Sequence, residues 1–157
     1  MINRIRVLLI ISICFIFMLL HSCDSNGNGN SGGEIISSFN SSRSHKTGQN
    51  CMNCHVQGGG GDGFFSVAGT VYEKDGNNPL PNAIVRIYPA DELEGDPIAV
   101  IEVDGRGNFY TTENIVFEGG LTTSVEGPTT EIFMESTITN GSCNSCHGQS
   151  TGRIWAE

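Results

Sequence analysis

The sequence predicts a mainly β protein, a small antiparallel β-sandwich flanked by two short arms. Residues 64–134 break into six short runs that are rich in β-branched and aromatic residues, which favour strands. Clusters of Gly, Pro, Asn and Asp separate these runs and predict turns at hairpin spacing. No part of this stretch shows the periodicity of a long helix, so strands have no competing interpretation.

The six runs predict the strands of the sandwich. The second run alternates in the way that places successive side chains on opposite faces of a strand. Its two faces carry Ala83, Val85 and Ile87 on one side and Ile84, Arg86 and Tyr88 on the other. In chain order the runs are 65–73, 82–90, 97–103, 108–117, 121–127 and 130–136.

The N-terminus predicts export and a lipid anchor. Arg4 and Arg6 precede an apolar run over residues 7–20, which is typical of a signal peptide and short for a membrane span. The ending LHSC resembles a bacterial lipobox, which implies cleavage just before Cys23 and acylation of its thiol. A plain signal peptide cut elsewhere is the alternative. We therefore expect residues 1–22 to be removed and the protein to be lipid-anchored to the cell envelope, facing the periplasm or the cell exterior.

The predicted mature chain is strongly acidic. Without Arg4 and Arg6 it has six basic and seventeen acidic residues, so the formal charge changes from −9 to −11. This charge disfavours nucleic acid and anionic membrane surfaces as partners and favours a basic redox protein. Contact with the membrane is therefore expected through the lipid anchor.

Two glycine-rich segments divide the chain. The first, residues 24–33, cannot bury enough apolar surface to fold, so residues 23–43 are predicted to form the lipidated cysteine and a flexible tether. The second, Gly58–Gly63, predicts a hinge or tight packing where the first arm, residues 44–63, meets the sandwich. Residues 135–157 form the second arm.

A five-residue pattern occurs twice, as CMNCH at residues 51–55 and as CNSCH at residues 143–147. In C-x-x-C-H the two thiols form thioethers with a haem, and the adjacent histidine ligates the iron from one face. Two copies in an exported chain with few other cysteines predict two covalently attached haem c groups. The haem-attaching cysteines are Cys51, Cys54, Cys143 and Cys146, and the proximal iron ligands are His55 and His147.

The four motif cysteines allow three other interpretations. A zinc site built from both C-x-x-C pairs would use four thiolates and would leave the two histidines unexplained. Two structural disulfides would suit an exported protein, although a bridge inside C-x-x-C closes a very small loop. A thioredoxin-like dithiol site would need a βαβ context that the β-rich middle does not offer.

Two stretches of the middle carry a family resemblance, VAGTVYEKDGNNPLPNAIVRIYPA and AVIEVDGRGNFYTT. They resemble the carboxypeptidase regulatory-like, or transthyretin-like, β-sandwich domains, which implies a structural role for residues 64–134. The whole chain resembles a dihaem c-type cytochrome lipoprotein in which this domain is inserted between two haem-binding arms. Four residues are interpreted as turn formers in preference to calcium ligands: Asp75, Asp104, Gly105 and Gly107.

His45 is the candidate distal ligand, because His55 and His147 are already proximal ligands. It lies in SSRSHKTGQNCMNCH, which resembles stretches of multihaem c-type cytochromes where an upstream histidine serves a haem of the same protein. Whether His45 would serve its own haem or the neighbouring one stays open. A solvated loop histidine is the alternative.

Met134 is the candidate axial ligand of the second haem. It precedes the second motif in IFMESTITNGSCNSCH, and a His/Met site would have a higher potential than a His/His site. Met134 fits a place in the sandwich core equally well. An open iron, or a ligand from another subunit, is a further alternative.

The predicted function is electron transfer by a dihaem c-type cytochrome at the cell envelope or exterior, extracellular electron transfer included, and not enzymatic catalysis. Its expected partners are redox proteins that act as donor and acceptor. Two alternatives stay open: a small peroxidase-like haem enzyme with an open iron, and an adhesion or carbohydrate-binding sandwich with supporting haems. Because domain termini often lie close together, the two arms are expected to meet. A head-to-tail homo-polymer, in which His45 reaches the next subunit, is a further hypothesis.

Overall fold

The computed structural model describes residues 34–90 and 95–157. Two β-sheets pack face to face within these residues, and the helical content is two single 3-10 turns, so the predicted mainly β sandwich is confirmed. Neither of these turns has the length or apolar content needed to cross a membrane. The predicted signal peptide, Cys23 and the first part of the tether lie outside the described residues.

Each of the six predicted runs contains a strand, and two short strands follow in the C-terminal arm. Their bounds are β1 (Val67–Glu73), β2 (Ile84–Pro89), β3 (Ala99–Glu102), β4 (Asn108–Thr111), β5 (Leu121–Glu126), β6 (Glu131–Phe133), β7 (Gly141–Ser142) and β8 (Ile154–Ala156).

The first sheet is built around β1. Strand β4 pairs with β1 in antiparallel fashion, whereas β7 and β8 pair with its beginning and its end in parallel. The sheet is therefore mixed, although the sequence predicted antiparallel pairing throughout. Parallel partners need a long connection, and β7 and β8 satisfy this because they lie in an arm that returns to β1 after the second sheet is complete.

The second sheet has the order β3-β2-β5-β6 and is entirely antiparallel. Side chains from both sheets form one core, in which Val71, Ile87, Ile101 and Phe109 are at most 1% exposed. Burying each such side chain stabilises the fold by about 1.5–3 kcal/mol. Val85 and Ile87 both belong to this core, as the alternation in β2 predicts.

A covering segment, residues 34–50, lies against the first sheet. The backbone N–H of Ser37 donates to the carbonyl of Tyr110 at 2.9 Å. The backbone N–H of Gly48 donates to Oγ1 of Thr70 in β1 at 3.0 Å. These bonds pack the last part of the predicted tether onto the sandwich and leave six of the seven residues of β1 buried.

Two aspartates form turns, as predicted. Oδ1 of Asp75 accepts a hydrogen bond from the backbone N–H of Asn77 at 2.8 Å. Oδ1 of Asp104 accepts from the backbone N–H groups of Arg106 and Asn108, at 2.8 Å and 3.0 Å. Carboxylates that bond the backbone a few residues ahead are typical of turn formers.

Candidate cofactor site

The two C-x-x-C-H motifs have the same backbone conformation. Each begins with a single 3-10 turn, Cys51–Asn53 in the first motif and Cys143–Ser145 in the second. In each motif the backbone N–H of the histidine donates to the carbonyl of the first cysteine, at 3.0 Å in both. The backbone therefore holds the histidine in the same position relative to the first cysteine at both sites.

Both histidine rings are held through Nδ1. Nδ1 of His55 lies 2.9 Å from the carbonyl oxygen of Asp62, seven residues later. Nδ1 of His147 lies 2.7 Å from the carbonyl oxygen of Gly152, five residues later. A carbonyl oxygen can only accept, so Nδ1 carries the proton and Nε2 of the neutral ring keeps a free lone pair. A backbone carbonyl holding the other ring nitrogen is the usual support of a metal-binding imidazole.

The glycine cluster after the first motif allows tight packing on the ring of His55. A Cβ atom on Gly61 would lie 2.7 Å from Nδ1 of His55, well inside van der Waals contact. The His55 ring also stacks on Phe65, with ring centroids 4.1 Å apart. The absence of a side chain at Gly61 therefore lets the chain close around this imidazole.

Replacement of Gly61 by alanine is expected to displace the His55 ring and break its bond to Asp62. Overpacking of this kind costs about 1–3 kcal/mol of the free energy of unfolding, which urea denaturation measures. Gly152 provides the matched control, because a Cβ there meets nothing within 4 Å and its carbonyl is retained. G152A should change stability by less than about 0.5 kcal/mol. Equal losses in the two variants would contradict the packing role of Gly61.

His45 lies beside His55 of the same chain. The two ring centroids are 5.9 Å apart and the ring planes are tilted by 38°. A bond from a metal to an imidazole nitrogen is about 2 Å long, so two imidazoles on opposite sides of one metal have centroids about 6 Å apart. Partial desolvation is the main cause that lowers the pKa of His45, which favours the neutral ring that binds metal.

The loop that carries His45 is fixed by residues on either side of it. Nδ2 of Asn108, a buried residue of β4, donates to Oγ of Ser44 at 2.8 Å and to Oγ1 of Thr47 at 3.1 Å. Oδ1 of Asn108 accepts from the hydroxyl of Thr70 at 2.7 Å. Through these bonds the sandwich determines where His45 stands.

The second motif opens onto an apolar cavity of about 590 Å³. Cys143, Cys146 and His147 line this cavity, and Met134 lines it as well. The sulfur of Met134 accepts a hydrogen bond from the hydroxyl of Thr123 at 3.7 Å. The apolar part of the lining is supplied mainly by Val67, Val85, Phe109, Val125, Ile132, Ile138, Ile154 and Trp155.

Three of the four motif cysteines are free thiols. Because Cys51, Cys143 and Cys146 are free, no disulfide closes within either C-x-x-C pair. Cys54 is disulfide-bonded. Burial raises the pKa of the Cys143 thiol to about 12, and burial also raises the pKa of Cys51. Cys143 is therefore protonated at neutral pH and weakly nucleophilic in this folded state.

The two cysteine pairs do not combine into one site. Across residues 34–90 and 95–157, no group of three or more His, Cys, Asp or Glu side chains is arranged to hold a metal ion. The four-thiolate zinc site considered above is therefore not assembled in this structure.

The two motifs are nevertheless in contact. The hydroxyl of Ser142 donates to Oδ1 of Asn50 at 2.9 Å, so the residues that precede each motif are joined. Nδ2 of Asn144, inside the second motif, donates to the carbonyl of Gln49 at 2.9 Å. The two arms therefore meet at the two motifs, as expected.

Comparison of the chain with family models, with curated proteins and with solved structures finds no match. The transthyretin-like resemblance and the resemblance to dihaem c-type cytochromes therefore stay predictions.

Sequence reasoning did not identify the residues that hold the site together. Thr70, Asn108 and Asn144 are each at most 3% exposed, and all three are joined by side-chain hydrogen bonds. The only signal in the sequence is the presence of polar residues within β-rich runs, at Thr70 and Asn108. Nothing in the letters CNSCH distinguishes the buried Asn144 from the exposed Ser145.

Proposed function

We propose that this chain is an electron-transfer protein, a dihaem c-type cytochrome that acts at the cell envelope or exterior. The observation that carries the proposal is the cavity at the second motif, where two thiols, one imidazole and one thioether line an apolar space. Its volume of about 590 Å³ lies within the range of about 300–1,000 Å³ that is usual for cofactor sites.

The donor groups fit a haem better than a bare metal ion. A porphyrin supplies four nitrogens of its own, so the protein needs to add only axial ligands, and each motif offers one imidazole with a free Nε2. The paired thiols supply covalent attachment, which requires the disulfide at Cys54 to be reduced first. When bound, the haem supplies reversible one-electron chemistry at iron.

The two sites offer different axial ligands. At the first motif the candidates are His55 and His45, whose rings lie 5.9 Å apart. At the second motif they are His147 and Met134, which line the same cavity. A thioether ligand would raise the potential relative to a second imidazole, so a haem held by His147 and Met134 would be the more oxidising of the two.

The net charge of the chain and its predicted lipid anchor indicate its partners and its attachment to the membrane. With a formal charge of −11 after loss of the signal peptide, we propose basic redox proteins as donor and acceptor and the acylated Cys23 as the membrane anchor. The position of His45 beside His55 favours ligation within one chain. A homo-polymer would then need a different contact between subunits.

Covalent haem content is the decisive test. Expressed with a cytochrome c maturation system, the exported protein should retain two haems after denaturation, seen by haem staining and by intact mass. C51S/C54S and C143S/C146S should each retain one haem, because each removes one pair of attachment sites. Each remaining haem should be reducible and reoxidisable in the optical spectrum. A wild-type chain that keeps no haem after denaturation would overturn the proposal.

A further inference from the structure

The contact between the two motifs consists of hydrogen bonds between polar residues. Four residues, here named the inter-motif clasp, form it: Gln49, Asn50, Ser142 and Asn144. Two hydrogen bonds join the two sides, from Ser142 to Asn50 and from Asn144 to Gln49, each 2.9 Å long. Gln49 and Asn50 lie just before the first C-x-x-C pair, whereas Ser142 lies just before the second pair and Asn144 lies inside it.

Asn144 is the centre of the clasp. It is 3% exposed although it lies in the spacer of the second motif, where its neighbour Ser145 is exposed. Its Oδ1 accepts from the backbone N–H of Thr70 at 3.1 Å, and its Nδ2 donates to Oγ1 of Thr70 at 3.0 Å and to the carbonyl of Gln49 at 2.9 Å. One side chain therefore bonds the second motif both to β1 and to the residues before the first motif.

These bonds leave Asn144 little freedom. All three of its polar contacts are made inside the protein, where an unpaired amide group is strongly unfavourable. Thr70 is itself bonded to Gly48 and Asn108, so the clasp is continuous with the network that fixes the loop of His45. A change at Asn144 would shift one motif relative to the other without removing a cysteine or histidine of either motif.

We infer that Asn144 is the positioning residue that couples the two haem sites, so that the haems act as one electronically interacting pair and not as two separate centres. The inference rests on the proposed function. It goes beyond that function because it assigns the relative placement of the two cofactors to a spacer residue that attaches no haem and ligates no iron.

The test measures coupling separately from haem content. Two interacting haems give a bisignate couplet in Soret circular dichroism, and its amplitude depends on their separation and relative orientation. N144L should keep two covalent haems with the wild-type absorption spectrum and lose at least half of the couplet amplitude. S142A removes only the hydrogen bond from the Ser142 hydroxyl to Asn50 and should reduce the couplet amplitude by a smaller amount. If N144L does not fold, the couplet amplitude of S142A tests the inference.

Ser145 provides the matched control. Its hydroxyl donates to the backbone carbonyl of Ser142 and lies near the sulfur of Cys146, and among the described residues it makes no bond to the first motif, so S145A should keep the full couplet. Two haems with an unchanged couplet in both N144L and S142A would overturn this inference and leave the proposed function intact. A wild-type protein with two haems and no couplet would do the same. Absence of covalent haem would overturn both.

Discussion

Replacing His45 by alanine is expected to convert one of the two haems from a six-coordinate, low-spin to a five-coordinate, high-spin state. The reason is that His45 is the imidazole that stands beside His55, with ring centroids 5.9 Å apart. Optical and electron paramagnetic resonance spectra of the oxidised protein would show half of the haem changing spin state. The potential of that haem should rise by on the order of 0.1–0.3 V, within the roughly 0.8 V that axial ligands span.

Arg43 provides the control for this substitution. It is exposed and lies two residues before His45, so R43A alters the charge of the same loop without removing a ligand. Its spectrum should match that of the wild type. A six-coordinate spectrum for both haems in H45A would show that His45 is a solvated loop histidine and that another group completes the first site.

Replacing Met134 is expected to have a comparable effect at the other haem. M134A should leave that iron without its thioether, giving a high-spin spectrum and the loss of the sulfur-to-iron charge-transfer band. M134H should restore a six-coordinate iron and lower its potential by on the order of 0.1–0.3 V, because an imidazole replaces the thioether. Redox titration and near-infrared spectra measure both changes.

Met52 is the matched control, since it is the other methionine after Cys23 and lies within the first motif. M52L should leave the second haem unchanged. An unchanged spectrum in M134A would mean that Met134 only lines the cavity. The second iron would then be open or ligated by another subunit, which would favour the peroxidase-like alternative.

The strands were predictable because they depend on local properties of the chain. Runs of β-branched and aromatic residues between turn formers mark β1 to β6, and each of these strands lies within its predicted run. Strands β7 and β8 were missed because they are two and three residues long and lie outside the predicted runs. They form where β1 offers a partner, and the two strand-favouring residues of β8, Ile154 and Trp155, are too few to predict a strand.

The reactive groups were also predictable from the sequence. Two thiols, a fixed spacer and a histidine define C-x-x-C-H without reference to the rest of the chain. The shared 3-10 turn at Cys51 and Cys143 shows that the spacing sets the local geometry. The sequence left open which haem His45 would serve, because that depends on how Ser44 and Thr47 bond to β4.

By itself, the sequence determined the fold class, the positions of strands β1 to β6 and the two C-x-x-C-H motifs. The tertiary structure decided which of these groups meet. The bonds of the inter-motif clasp join residues 92 and 95 positions apart, so no local pattern encodes them. Met134 lines the cavity of His147, and Asn144 lies in a buried network that also fixes the loop of His45, because the packed sandwich brings residues 34–50 and the C-terminal arm to β1.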